Sequence, residues 1–320
     1  MSDHAPARTP EPLEYQRLLR AGRPGAWRPL VGVVALVALV LLAQVVVVSV
    51  LSVYLLLTGV DGAEASRRLS GADEVTPVFL AVVNLGWAAA IPAAWLVLWS
   101  VHRLRPGWLA SVRPRIRWRW FATCLGLALL ALVATLVVSA VLPAQGGSTQ
   151  VSGQVNDFSR TTRDFLLVIV LLTPLQAAGE EYAFRGYLTQ VCGGLVRQRW
   201  VAVVVPALLF ALAHGLGQDL PIFFDRFAFG LVAGALVVLT GGLEAGIAMH
   251  VLNNFFAYGL ALAFGDMTSA LNPTGGSWWS IPVTLTQSLV FLALTLAAAR
   301  RQGVERVSGR LDLVGSRRPV

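Results

Sequence analysis

The sequence predicts an all-α integral membrane protein, a bundle of about eight transmembrane helices around a polar intramembrane pocket. Three observations predict this fold class. Of the 320 residues, 56% are hydrophobic and 13% are charged, whereas a soluble domain carries about 25% charged residues. The apolar residues are grouped into long uninterrupted runs. Some of these runs contain ionisable side chains, which a membrane helix tolerates only when partners or chemistry compensate them.

Eight apolar runs are each close to or above the ~20 residues that span a bilayer. They cover residues 30–59, 76–101, 119–143, 164–190, 200–217, 221–240, 243–264 and 279–299. The first run is longer than the core of a cleavable signal peptide, about 7–15 residues, so we expect it to remain as an anchor. The fifth run is short, and its boundary with the sixth, between Gly215 and Pro221, is the least defined.

These runs divide the chain into three regions. Residues 1–29 are polar and contain prolines and arginines, which predicts a mostly disordered cytoplasmic tail with a short helix around Leu13–Leu19. Residues 30–299 are expected to form the eight-helix membrane domain, with a catalytic core at about 160–264. Residues 300–320 are expected to form a basic cytoplasmic tail.

The distribution of arginine predicts the orientation. All 25 basic residues are arginines, and most of them lie in the two tails and in the loops after the second and fourth runs. Loops of the other parity are poor in arginine, and residues 265–278 have none. Because basic loops stay inside, we predict a multi-pass protein of the cell membrane with both termini cytoplasmic and an even number of spans. The net charge of +8 therefore reflects topology in a lipid bilayer and does not indicate a nucleic-acid partner.

Two adjacent carboxylates, Glu180 and Glu181, lie with Arg185 inside the fourth apolar run. A single charge at the centre of a membrane helix costs roughly 2.5–3.5 kcal/mol on insertion scales, so these side chains need partners or a function. Glu181 and Arg185 are four residues apart, which places them on one helix face as an ion pair. Glu180 is then the free carboxylate, suited to act as a general base.

Two of the four histidines, His214 and His250, lie inside or at the ends of apolar runs. One such histidine alone is as readily explained by a hydrogen bond to a neighbouring helix. Two of them, together with the acid pair on another helix, predict that helices four, five and seven surround one polar pocket. Phe210 shares a helix face with His214, and Asn254 shares one with His250, whereas Asn253 points about 100° away.

The three motifs resemble those of a known family when they are taken in order. Glu180-Glu181-x-x-x-Arg185, Phe210-x-x-x-His214 and His250-x-x-x-Asn254 are similar to the motifs of the CPBP intramembrane proteases. This family includes the type II CAAX prenyl endopeptidases and the bacterial Abi-type proteins. The resemblance covers about residues 160–264, and the remaining runs match only in being membrane spans.

The resemblance implies hydrolysis of a peptide bond within the membrane, without a cofactor on the preferred interpretation. Glu180 with His214 would activate water, and His250 with Asn254 would hold the oxyanion. Glu181 and Arg185 would support the helix that presents Glu180. The implied partner is a membrane-embedded or lipidated peptide or protein, such as a prenylated CAAX substrate.

Three alternatives stay open at this point. Glu180, His214 and His250 could instead form a two-histidine, one-carboxylate zinc site, although the sequence lacks the His-Glu-x-x-His spacing of a metalloprotease. The buried ionisable groups could serve a proton-coupled transporter, although no repeated halves are visible. A catalytically silent membrane scaffold would require all of these polar residues to be structural.

One expectation conflicts with the others. At about 1.5 Å per residue, Glu180 is predicted near the middle of the bilayer, His214 near the outer end of its helix and His250 nearer the inner end. Side chains at three different depths cannot share a water molecule. The helices must therefore be tilted, broken or bounded differently if the three residues act together.

Overall fold

The computed structural model describes residues 11–141, 154–215, 217, 219–272 and 275–309. Within these ranges the regular structure is helical, apart from two isolated β-bridges. Its helices are α1 Trp27–Leu57, α2 Gly62–Ser70, α3 Pro77–His102, α4 Trp118–Val141, α5 Arg160–Leu195, α6 Val201–Ala213, α7 Leu220–Thr240, α8 Glu244–Phe264, α9 Met267–Leu271 and α10 Ser280–Arg301. The predicted all-α membrane fold is confirmed.

In the described part of the chain, seven helices are long and apolar enough to cross a membrane. The helix α6, at the fifth predicted run, has only 13 residues. It is therefore about 20 Å long, shorter than the ~30 Å hydrocarbon core. The run was predicted to extend over residues 200–217, but the helix ends at Ala213, and Gly215 follows with a φ of +120°. With α6, the bundle has eight apolar helices at the eight predicted runs.

Capping residues in the sequence determine where several of these helices begin. Thr76 caps α3 by accepting a hydrogen bond from the N–H of Phe79, and a proline occupies the first turn. Ser159 begins α5 with a capping box, in which its side chain and that of Thr162 each accept a backbone N–H of the other. These caps fix where α3 and α5 start, and therefore which residues they present to each other.

The helix α5 lies at the centre of the bundle and packs against α3 and α8. Glycine allows its close approach to α3, because a Cβ added at Gly179 would lie 2.0 Å from the carbonyl oxygen of Trp87. The helices α6 and α7 also pack closely, with Gly230 and Gly234 facing Ala207 and Val203. Small residues at such contacts are typical of membrane helix packing.

Residues 11–29 differ from the expected disordered tail, whereas residues 1–10, like residues 310–320 of the C-terminal tail, lie outside the described residues. Tyr15–Ala21 forms a 3-10 helix, which overlaps the short helix predicted near Leu13–Leu19. Tyr15 is fully buried, its hydroxyl donates a hydrogen bond of 2.5 Å to the carbonyl of Leu109, and burial raises its pKa well above the ordinary value. Leu18 is buried beside it. These apolar side chains, spaced among the arginines, hold residues 11–26 against the bundle.

We define the terminal layer as residues 13–22, 103–117 and 302–308, which pack together at one end of the bundle. Leu13 and Ser308 exchange two hydrogen bonds of 3.0 and 2.9 Å. The two ends of the described chain therefore lie on the same side of the bundle, as an even number of crossings requires. The arginine-rich loop after α3 belongs to this layer, and its Arg117 reaches Glu244 at the start of α8.

Candidate active site

The acid pair lies where α5 changes its geometry. The helix is α-helical up to Glu180 and continues as a π-helix over Glu181–Leu188. Such π-segments are rare and occur frequently at functional sites. Glu181 and Arg185 are both buried, with Oε1 and Nη1 3.0 Å apart, in the pairing that their spacing predicted. The guanidinium of Arg185 also lies 4.0 Å from the centre of the Phe210 ring.

His250 contacts both carboxylates. Its Nδ1 lies 3.1 Å from Oε1 of Glu181, and its Nε2 lies 3.7 Å from Oε2 of Glu180. Because an ionised carboxylate only accepts hydrogen bonds, Nδ1 carries the proton toward Glu181. Glu181 therefore fixes the orientation of the imidazole and leaves Nε2 directed to Glu180. Neither Oε2 of Glu180 nor Oε2 of Glu181 has a hydrogen-bond partner in the described residues.

His214 is the residue immediately after α6. Its Nδ1 donates a hydrogen bond of 2.9 Å to the carbonyl oxygen of Phe210, one of the carbonyls that the end of the helix leaves without a partner. The two rings are in edge contact, with centroids 4.5 Å apart. This bond fixes Nδ1 as the protonated nitrogen of the neutral ring and leaves Nε2 as an acceptor.

Gln176 connects the acid pair to the asparagine and was not predicted. Its Nε2 donates a hydrogen bond of 2.5 Å to Oε1 of Glu180, and its Oε1 accepts one of 3.0 Å from Nδ2 of Asn254. A signal was present in the sequence, because Gln176 is a polar residue four positions before Glu180 in an apolar run and so shares its helix face. Asn254 keeps a second amide N–H for another acceptor.

A cavity of about 270 Å³ collects the four predicted catalytic side chains. Glu180, His214, His250 and Asn254 all line it, together with the predicted supporting residue Phe210. Glu181 and Arg185 do not line the cavity. Glu181 contacts His250 and Arg185 contacts Phe210, two residues that do line it. The three motifs thus converge on one polar pocket.

The expected conflict in depth does not arise in the structure. Arg117 of the terminal layer binds Glu244. His250 lies six residues after Glu244, or about 9 Å farther along α8. At the same end of the bundle, the hydroxyl of Tyr187 is hydrogen-bonded to His102. Glu180 lies seven residues before Tyr187, or about 10 Å along α5. The two residues are therefore at similar depth. His214 reaches the same cavity because α6 ends at Ala213, where the His214 ring contacts Phe210.

Further polar residues of the cavity come from α7 and α8. Asp225 and Arg226 of α7 line it, as do Asn253 and Tyr258 of α8. The sequence predicted that the fourth, fifth and seventh apolar runs surround the pocket. The sixth run, which forms α7, also lines it and was not predicted to do so. The adjacent charges of Asp225 and Arg226 inside an apolar run gave the same kind of signal as the acid pair. Asn253 was expected to point away, yet it also faces the cavity.

Glu180, His214 and His250 are the side chains that the zinc alternative would use. Among the described residues, no three His, Cys, Asp or Glu side chains are placed to hold a metal ion together. The Nδ1 atoms of His214 and His250 are engaged by Phe210 and Glu181, and only Nε2 of each ring remains for a ligand. We derive no step through a metal.

The fold and the cavity define a class of protein. The chain is a multi-pass helical membrane protein in which Glu180, His214, His250, Asn254 and Gln176 line one cavity. The family model of the Type II CAAX prenyl endopeptidase Rce1-like proteins matches residues 162–256, which contain all three motifs. This match confirms the resemblance predicted from the motifs and indicates an intramembrane protease.

Two relatives extend the comparison. The chain is 24% identical to the protein YyaK of Bacillus subtilis (strain 168) over 220 residues, which are 65% of this chain and 71% of YyaK. It is 29% identical to the membrane-embedded CAAX protease MroQ of Staphylococcus aureus (strain USA300) over 132 residues, 40% of this chain and 52% of MroQ. The chain thus aligns with about half the length of MroQ.

Replacing Gln176 with leucine is expected to lower kcat by about 10- to 100-fold with little change in KM, because it frees both Glu180 and Asn254 from their positions. The measurement is steady-state cleavage of a membrane peptide, corrected for the folded fraction. Thr173→Val is a matched control. Thr173 lies on the same helix as Gln176 but outside the cavity, and it accepts a buried hydrogen bond from Asn84 of α3. Equal losses of kcat in the two variants would contradict a positioning role for Gln176.

Proposed function

We propose that this protein is an intramembrane endopeptidase, which hydrolyses a peptide bond of a membrane-associated or prenylated substrate through water activated by Glu180 and His214. The observation that carries the proposal is the convergence of Glu180, His214, His250 and Asn254 on one cavity. The Rce1-like match over residues 162–256 supports the same chemistry.

In the proposed reaction, Glu180 is the general base. Its Oε2 accepts no hydrogen bond from the described residues, so a water molecule can bind there, and Nε2 of His214 can accept a second hydrogen bond from that water. The water oxygen attacks the carbonyl carbon of the scissile bond as a proton passes to Glu180. When the C–N bond breaks, the same proton passes from Glu180 to the leaving amine.

His250 and Asn254 stabilise the tetrahedral oxyanion in this proposal. Asn254 can donate the N–H that Gln176 does not use. His250 can donate from Nε2 only as an imidazolium, since its Nδ1–H is committed to Glu181. Removal of one such donor typically costs about 3–4 kcal/mol of transition-state stabilisation.

We propose a membrane substrate because the reacting groups lie within the bundle. MroQ is named a membrane-embedded CAAX protease, which supports testing prenylated CAAX peptides beside other membrane peptides. We further propose that the terminal layer faces the cytoplasm, because the arginine-rich loop after α3 belongs to it. The cell membrane is then the site of action.

The test is cleavage of a panel of membrane-peptide and prenylated CAAX reporters by the purified protein in liposomes, with and without a chelator. We expect at least one reporter to be cut at the same rate in both conditions, since the proposed reaction uses no metal. Activity that disappears with the chelator and returns with zinc would contradict the metal-free mechanism. A proteoliposome flux that depends on Glu180, without cleavage of any reporter, would contradict the protease and favour a transporter.

A further inference from the structure

The helix α8 follows the cavity from a closed end to an open end. From Glu244, at the terminal layer, to Val251 every residue of α8 is buried, whereas from Leu252 to Leu260 none is. Ala257, which lines the cavity in this second stretch, is exposed. The cavity is therefore most accessible on the side that faces away from the terminal layer.

The closed end lies between the reacting groups and the terminal layer. On α5, all residues from Gly179 to Tyr187 are buried. The ion pair of Glu181 with Arg185 belongs to this buried stretch. Beyond it, Tyr15 and Trp108 of the terminal layer are also buried. These side chains separate Glu180 from the arginine-rich end of the bundle.

The open end is formed by helix ends that are remote from the terminal layer. α3 and α10 both run toward that layer, since residues 103–117 follow α3 and residues 302–308 follow α10. The first two turns of these helices therefore lie at the opposite end of the bundle, together with α9, which follows α8. All three helices or their flanks contribute lining residues, among them Phe79, Leu271, Asn272 and Thr284.

The two ends of the bundle differ in their arginine content. The terminal layer contains eight arginines, whereas the opposite connections at residues 58–76 and 265–279 contain two. Basic residues near membrane spans are retained on the cytoplasmic side. This asymmetry places the closed end toward the cytoplasm and the open end on the other side of the membrane.

We propose that the cavity opens to the extracytoplasmic side, and that the substrate is a membrane peptide whose cleavage site has already been translocated to that side. This inference rests on the proposed protease function and on the proposed orientation, and it narrows the substrate class. The reaction that supplies the substrate is then membrane insertion or export. A lipidated protein held at the cytoplasmic face would not reach the open end.

The depth of the reacting groups sets a requirement on the substrate. The lining residues of α8 run from His250 to Tyr258, eight positions or about 12 Å. An extended chain covers about 3.3 Å per residue, so roughly four residues must enter the cavity to bring the scissile bond to the reacting groups. Asn253, Tyr258 and Thr284 line this route and offer hydrogen bonds to an extended backbone. The cleaved segment is therefore a chain end or a break in a helix.

The first experiment measures from which side of the membrane each end is reached. The native cysteines, Cys124 and Cys192, are replaced with alanine in the full chain. Single cysteines are then introduced as Ala257→Cys in the cavity, Glu74→Cys beside its open end, or Arg105→Cys in the terminal layer. Glu74 and Arg105 are exposed and report the orientation. A charged, membrane-impermeant methanethiosulfonate is applied to spheroplasts or to inverted membrane vesicles.

We expect Glu74→Cys and Ala257→Cys to be modified in spheroplasts and protected in inverted vesicles, and Arg105→Cys to show the reverse. Asn272→Cys, at an exposed lining position, is a second cavity site and should behave as Ala257→Cys does. Leu130→Cys is the matched control for an exposed position on the apolar surface of α4 and should stay unmodified in both preparations.

Two results would overturn the inference. The first is modification of the cavity cysteines from the same side as Arg105→Cys, and the second is their protection in both preparations, as expected for Leu130→Cys. Modification of Arg105→Cys in spheroplasts would reverse the orientation and overturn it as well. None of these measurements depends on catalysis.

The second experiment uses two single-span reporters that carry the same extended segment at the extracytoplasmic or the cytoplasmic end of the span. Co-expressed with the wild-type protein, only the first is expected to be cleaved, and neither with Glu180→Gln. Cleavage of the cytoplasmic reporter alone would overturn the inference and leave the protease intact. Outward access to the cavity without cleavage of either reporter would contradict the protease and leave the access route intact.

Discussion

Replacing Glu180 with glutamine is expected to reduce peptide cleavage by about 10²–10⁴-fold, the contribution typical of a positioned general base. Glutamine has nearly the same shape and can still accept the hydrogen bond from Gln176, but its amide cannot take a proton from water. The effect should fall on kcat, because substrate contacts elsewhere in the cavity remain. The measurement is steady-state cleavage in liposomes over a range of reporter concentrations.

The substitution Glu180→Gln should not lower the stability of the folded protein. Oε2 of Glu180 is buried without a partner in the described residues, so the substitution removes an incompletely satisfied charge. We expect a midpoint of thermal unfolding equal to or above that of the wild type, as strained active sites often show. Glu305→Gln is the control, because Glu305 pairs with Arg113 at the surface of the terminal layer. This variant should cleave the reporter at the wild-type rate. Normal cleavage by Glu180→Gln would show that the acid pair is structural.

Replacing Glu244 with alanine is expected to lower the free energy of unfolding by about 3–5 kcal/mol, as for other buried ion pairs that lose one partner. Arg117 donates to both oxygens of Glu244, at 2.8 and 2.7 Å, and its side chain is only 8% exposed. Its backbone N–H donates to the same carboxylate. The substitution therefore leaves a buried guanidinium without a counter-ion.

The measurement is reversible unfolding of the purified protein in mixed micelles. A double variant, Arg117→Met with Glu244→Leu, removes both charges and is expected to be more stable than either single variant. Because Glu244 begins the helix that carries His250, the single variant should also lose activity in proportion to its unfolded fraction. A change below about 1 kcal/mol in Glu244→Ala would contradict a structural role for this pair.

Apolar runs and charge patterns allowed most of the fold to be predicted. The eight runs correspond to the eight apolar helices because lipid requires long stretches without charge. The N-terminal segment was misjudged because its buried side chains, Tyr15 and Leu18 among them, are spaced among arginines and prolines. Its packing depends on long-range contacts with residues 103–117, which no local pattern reveals.

The candidate site was predictable where spacing along one helix determines contact, as in Glu181 with Arg185. It was less predictable where tertiary structure decides. The end of α6 at Ala213 allows His214 to line the cavity, whereas composition alone predicted that the run continues to residue 217. Gln176 and Arg226 belong to none of the three motifs and were not predicted, although both are polar residues in apolar runs.

The central claim is that water, activated at Glu180, attacks the peptide bond directly. A single turnover of a cleaved reporter in H₂¹⁸O, followed by mass spectrometry of both products, tests this most directly. The account predicts one ¹⁸O atom in the new carboxylate during the first turnover, and no product from Glu180→Gln. A first-turnover product without ¹⁸O would mean that a protein side chain attacks the carbonyl carbon, and would contradict the account.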